Sequence, residues 1–165
     1  MSNEVAHKRW WQIFEVIVGI PFLAAIALQL ALPLRLPRTA FAPAIAAAGI
    51  ALIGAGVALV VLARREFARR GQPTDPGRPT SALVTTGVFA ISRNPLYLGG
   101  AGVLLGSALA FNLPWALVLL PPSLAACQIA LIAPEERYLA AMFGERYRDY
   151  AASVRRWVGR SRPRL

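Results

Sequence analysis

Few residues in this chain can do chemistry, and they cluster at two points. The first is Arg93-Asn94-Pro95 with Tyr97, at the end of a basic loop and the start of an apolar run. Asn is a favoured N-cap and Pro suits the first helical position, so a helix starts here. Its unpaired N–H groups and partial positive end, with Arg93 beside them, suit a carboxylate or a phosphate. The same residues also read as an ordinary helix cap with a membrane-edge cation, and sequence alone leaves both readings open. The second point is Glu135-Glu136, directly after Pro134. Carboxylates in a first helical turn favour the helix dipole, and they can equally face a cationic ligand. The single cysteine, Cys127, lies in an apolar run and the single histidine, His7, in a polar N-terminal segment. Neither a disulfide nor a metal cluster can be assembled from them, so no metal is expected.

The elements that must position these residues are membrane helices. Hydrophobic residues make up 56% of the chain and the mean hydropathy is +0.50. A soluble domain of this length has nowhere to bury such runs. The expected fold is all-α: one polytopic membrane domain over residues 1–165, with four transmembrane helices at about 10–32, 41–63, 95–113 and 115–133. A loop over 64–94 and a C-terminal amphipathic interfacial segment over 134–158 complete it. The net charge of +10 is spread between and after the apolar runs, which argues for membrane orientation and against nucleic acid. Sixteen basic residues fall on the side of the N-terminus and only Arg35 and Arg38 on the other. The positive-inside rule then puts both termini in the cytoplasm. Ala- and Arg-rich usage without an organelle signal suggests a bacterial inner (cytoplasmic) membrane.

Within these elements several residues carry expectations. Lys8 and Arg9 precede a first span too long for a cleaved signal, so a retained anchor is expected. Trp10 and Trp11 suit the interface and Pro21 a kink, while Glu15 either lines a polar pocket or reaches the surface. The second span is rich in small residues and so is central. It continues as a helix through Arg64–Arg70, with Glu66 paired to Arg70, and stops at Gly71. The proline-rich stretch 72–80 is a loop or a lid. Gly102 and Gly106 form a small-xxx-small packing pair, Pro121-Pro122 should bend the fourth span, and Gln128 faces a partner or cavity. Leu139, Met142, Phe143, Tyr147, Tyr150, Val154 and Trp157 form an apolar stripe, with a break at Gly144. Asn112-Leu113-Pro114 makes a hairpin of the third and fourth spans. The hairpin brings Arg93–Tyr97 and Glu135-Glu136 to one face, where a zwitterion would set its carboxylate on Arg93 and its ammonium on a glutamate.

Gly87-Val88-Phe89, Arg93-Asn94-Pro95-Leu96-Tyr97-Leu98-Gly99, Glu135-Glu136 and Phe143-Gly144-Glu145-Arg146-Tyr147-Arg148-Asp149-Tyr150 resemble the isoprenylcysteine carboxyl methyltransferase and phospholipid methyltransferase group of integral membrane enzymes. The resemblance covers about residues 72–157. It implies S-adenosylmethionine held at the cytoplasmic face by Leu83, Val84, Phe89, Asn94, Pro95, Leu96, Tyr97 and Glu135, supported by Arg93 and Glu136. It also implies enclosure by the last two membrane helices, the preceding loop and the C-terminal segment. Where the group often has histidine this chain has Asn94, and where it has tyrosine this chain has Phe89. Ala130–Pro134 replaces a charged stretch found in prenylcysteine methyltransferases, which weighs against that acceptor. The function expected is methyl transfer to a lipid-like or small hydrophobic acceptor drawn from the bilayer. An amine or hydroxyl acceptor would need a base, with Glu136 or Tyr97 the first candidates and Arg93 assisting. The rivals are an NADPH-dependent membrane reductase drawing on the Arg64–Arg78 loop for a phosphate site, a non-catalytic helical scaffold, and, with least support, a transporter.

Overall fold

In the computed structural model, residues 13–35, 40–72 and 80–161 are described. The expectations for His7, Lys8, Arg9, Trp10, Trp11, Arg38, Arg78, Arg162 and Arg164, and for the middle of the proline-rich loop, lie outside them. The described chain is all-helical, with one isolated antiparallel bridge, Val154 to Arg160. A π-helical turn (Glu15–Gly19) leads into α1 (Ile20–Ala31). Then follow α2 (Ala42–Arg69), a short 3-10 turn (Gly87–Ala90), α3 (Pro95–Ala110), α4 (Pro114–Cys127), a second π-helical turn (Gln128–Ile132), α5 (Ala133–Phe143) and α6 (Glu145–Ser153).

Two helical runs, Ala42–Arg69 and Pro114–Phe143, are long and apolar enough to cross a membrane. Glu15–Ala31 and Pro95–Ala110 are shorter apolar helices. The 16 residues of α3 extend about 24 Å, against a hydrocarbon core of about 30 Å. Two of the four expected spans therefore meet the length criterion and two fall short of it. The helix of the fourth expected span does not stop near residue 133. The Ala133 N–H bonds to the Gln128 carbonyl, an i to i+5 bond, and this wide turn carries the helix past Pro134 into α5. Pro121 and Pro122 both lie within α4, and Gln128, half-buried, opens the π-turn. At the other end, Pro21 follows a π-turn inside a continuous helix. Glu15 is exposed and is not among the residues that line the cleft described below.

The helix α2 stops as its sequence dictates. Gly71 sits at φ +61°, the Gln72 N–H reaches the Phe67 carbonyl at 2.9 Å and the Gly71 N–H reaches Ala68 at 3.1 Å, the bond pair of a Schellman stop. Its pairing with α3 is by backbone contact. A Cβ on Gly49 would meet the Gly106 oxygen at 2.6 Å, and one on Gly56 would meet the Gly99 oxygen at 2.6 Å. The contacts are reciprocal from α3, at 2.6 Å for Gly106 and 2.7 Å for Gly99. Gly102 would make only ordinary contact, at 3.6 Å. The tight pair on α3 is thus Gly99 with Gly106, seven residues apart, and not Gly102 with Gly106: the rotation of the helix decides which glycine meets its neighbour. On the opposite side Val18, Leu120, Cys127, Leu131 and Ile132 form a buried apolar cluster, where Cys127 is packing.

The C-terminal stripe turns inward. Gly144 at φ +55° separates α5 from α6, the break expected there. Tyr147, Tyr150 and Val154 are buried, with Leu83, Leu139 and Phe143 packed on them, while Met142 is exposed. Most of the stripe therefore packs on the protein and does not face outward as an interfacial helix would.

Candidate functional site

The chain between the end of α2 and the start of α3 is folded by specific bonds. Gly87 adopts φ +59° to begin the 3-10 turn, and Tyr150 on α6 donates to the Phe89 carbonyl at 2.7 Å. Residues 154–160 then fold back across the entry to α3. The Arg93 N–H reaches the Arg155 carbonyl at 3.1 Å and the Gly159 N–H reaches the Ile91 carbonyl at 2.7 Å. Asn94 occupies the N-cap position, but its side chain makes no cap bond. Its amide donates instead to the Arg156 carbonyl at 3.2 Å, and its own N–H is taken by the Ser92 hydroxyl at 3.1 Å. The expected capping side chain is thus used to hold the C-terminal segment.

Arg93 and Glu136 meet directly. Arg93 Nη1 lies 3.2 Å from Glu136 Oε1 and 3.2 Å from the Tyr147 hydroxyl, to which it donates. Arg156 grips Glu136 through both oxygens, Nε to Oε1 at 2.9 Å and Nη2 to Oε2 at 2.6 Å. This is the fork geometry that makes Arg–carboxylate pairs strong. The Tyr97 hydroxyl donates to Glu135 Oε2 at 3.0 Å. Arg93 Nε is buried without a hydrogen-bond partner, an unusual state for a guanidinium nitrogen.

These groups border a cleft of about 530 Å³, counting its open mouth. Of the ten residues expected from sequence, Leu83, Val84, Phe89, Arg93, Asn94, Glu135 and Glu136 line it. The other three stand behind the wall. Pro95 is fully buried, Leu96 packs on Ala63, Val84 and Phe89, and Tyr97 packs among Phe14 and the apolar cluster while bonding Glu135. Phe67, Thr80, Ala82, Leu139, Tyr147 and Tyr150 also line the cleft, with the Phe67 and Phe89 rings 4.9 Å apart.

Burial pushes the Tyr147 phenol above its ordinary range, the nearby Glu136 adds to this, and Arg93 opposes it. Burial likewise raises Tyr150, against a lowering by Arg93. The hydrogen bonds it donates to Glu136 raise Arg156 against its partial desolvation. Both phenols are therefore neutral at physiological pH. Sequence reasoning placed Tyr147 and Tyr150 in an apolar stripe and in a motif of the resemblance but gave neither a site role, although two hydroxyls three residues apart on one face were a usable signal. Arg156 gave no signal, being one of many C-terminal arginines.

The fold and site define an all-helical protein of apolar helices with a charged, aromatic-lined cleft at one end. The family model for phospholipid methyltransferase matches residues 44–146, more than half of the chain. The chain belongs to the phospholipid methyltransferase family, a family of membrane methyltransferases. No curated protein and no solved structure matches it. The matched region ends one residue before Tyr147, so Tyr147 and Tyr150 complete the cleft lining from beyond it and Arg156 holds Glu136 from there.

Proposed function

We propose that the chain is an S-adenosylmethionine-dependent methyltransferase with its cofactor in this cleft. The observation that carries the reading is the convergence on one cleft of Arg93, paired with Glu136, and Glu135. The residues present suit the cofactor. Phe67, Phe89, Leu83 and Val84 offer an aromatic and apolar face for a nucleoside, Glu135 a carboxyl group for an ammonium, and Arg93 a guanidinium whose Nε lacks a partner. When bound, the cofactor supplies an electrophilic methyl group on sulfur.

The chain's own residues then position and exclude. Glu136 has each oxygen engaged by Arg156 or Arg93, so its proposed role shifts from base to anchor, fixing Arg93 in the wall. Tyr97 does not reach the cleft lining, and its proposed role is to orient Glu135 through their hydrogen bond. Tyr147 and Leu139 shield the site from water, which favours an in-line displacement needing position more than acid–base help. The acceptor is a lipid-like or small hydrophobic carboxylate, amine or hydroxyl compound, entering from the bilayer. The shorter helices Glu15–Ala31 and Pro95–Ala110 complete four crossings, with both termini and the cleft on the cytoplasmic side of a bacterial inner membrane, as the arginine distribution favours.

Among the described residues the reductase alternative has no support in the cleft. Arg64, Arg65, Arg69 and Arg70 are exposed and none of them lines it. Incubation of purified protein with methyl-labelled S-adenosylmethionine and membrane lipid extract tests the reading. Label should appear in a lipid-soluble product, and the rate should fall with Glu135→Ala. No transfer to any lipid fraction, together with no cofactor binding, would remove it.

A further inference from the structure

The wall of the cleft formed by residues 80–86 has no strand or helix of its own to stiffen it. It is held by two clamps, both from the end of α2. The first is Gln72, a buried side chain only 7% exposed. Its Oε1 accepts from the backbone N–H of Ser81 at 2.9 Å and of Ala82 at 3.0 Å, while its Nε2 donates to the Ser81 hydroxyl at 2.9 Å and to the Arg70 carbonyl at 3.1 Å. One carboxamide thus does for this segment what a neighbouring strand would do. The second is Glu66, a carboxylate only 8% exposed. The Thr86 hydroxyl donates to it, and Arg70 Nη2 donates to that hydroxyl at 2.9 Å. Arg69 and Arg70 lie 3.7 Å and 3.9 Å from the carboxylate. Gly87 passes directly over it: a Cβ there would sit 3.0 Å from Glu66 Oε2, on a backbone at φ +59°.

Between the clamps lie Ala82, Leu83 and Val84, which line the cleft, and just past the second lies Phe89. A binding wall held to within a fraction of an ångström needs this kind of support behind it, because small displacements of contact groups are costly. Neither Gln72 nor Glu66 lines the cleft, and both are buried polar groups with their bonds directed at its wall. We infer that Gln72 and Glu66 are positioning residues that set the apolar wall against which the cofactor is held. The inference rests on the cofactor reading above.

Equilibrium binding of labelled S-adenosylhomocysteine to the full-length chain in detergent, alongside thermal unfolding of the same samples, tests it. Gln72→Ala and Thr86→Val should each weaken binding about five- to tenfold, the scale of one or two lost hydrogen bonds, with the unfolding midpoint moved by only a few degrees. Thr86→Ser keeps the donor and should bind within about twofold of wild type. Glu66→Gln keeps an acceptor for Thr86 while losing the arginine pairs, and should fall between these. Wild-type binding with Gln72→Ala and Thr86→Val unchanged would overturn the inference and leave the cofactor reading standing. Loss of affinity matched by wholesale loss of folded protein, without rescue by Thr86→Ser, would mark the clamps as structural only and also overturn it. No binding by wild type would overturn the cofactor reading and this inference with it.

Discussion

Along the seam between α2 and α3 the two backbones touch at Gly49–Gly106 and Gly56–Gly99, whereas at the cleft beyond its end the chain segments are spanned by long polar side chains. The seam has no side chain to adjust and tolerates no added atom. The cleft is the reverse: Arg93, Arg156, Gln72 and Asn94 each bridge several ångströms through bonds that can be removed one at a time. Changes in the seam should therefore act on folding, and changes in the cleft mainly on what the protein binds.

The sharpest way to break this comparison is to place a side chain in the seam. Gly56→Leu forces atoms into the Gly99 carbonyl and the Val103 N–H, 2.6 and 2.9 Å from its Cβ. A cost above about 4 kcal/mol is expected, seen as loss of monodisperse protein in detergent. Gly54→Ala, one turn region away with nothing within 4 Å, should be neutral or stabilise by up to about 1 kcal/mol. In the cleft, Glu136→Ala leaves Arg93 and Arg156 without their shared anion. About 2 kcal/mol of stability should be lost, measurable by denaturant unfolding, with a larger proportional loss of cofactor affinity. Tyr97→Phe removes one bond to Glu135 and should cost about 1 kcal/mol with little change in fold.

The smallest effect is on pH dependence. The Tyr147 phenol is raised in the folded protein above its ordinary 10.0. Above about pH 10 the unfolded chain therefore holds fewer protons than the folded one, and stability falls as pH rises. Below pH 10 Tyr147 contributes no slope. Tyr147→Phe should flatten the alkaline limb of a thermal stability profile and leave the neutral region unchanged in shape.

What could be read in advance follows the same division. The Schellman stop at Gly71 and the break at Gly144 are local, so their residues announced them. That Arg93 and Glu135-Glu136 share one face was legible because a hairpin leaves its two ends together; the ion pair of Arg93 with Glu136, where a ligand was expected between them, was not. The partners chosen at each end were not. Which of Gly99, Gly102 and Gly106 faces α2 depends on a helix rotation that four glycines in eight residues do not specify. The extension of α4 into α5 depends on a π-turn with no distinctive residue type. Asn94 looked like a cap because its type and position fit one, yet a tertiary contact to Arg156 uses its amide. Arg156 and Gln72 are long-range partners, and nothing in their local sequence sets them apart.

Calorimetric titration of the detergent-purified chain with S-adenosylmethionine, with NADPH as control and Glu135→Ala and Arg93→Ala alongside, tests the central claim most directly. The account predicts micromolar binding of the adenosyl ligand, about −8 kcal/mol, no heat from NADPH, and weaker binding in both variants while they remain folded. Absence of adenosyl binding, or equal affinity in wild type and both variants, would contradict it.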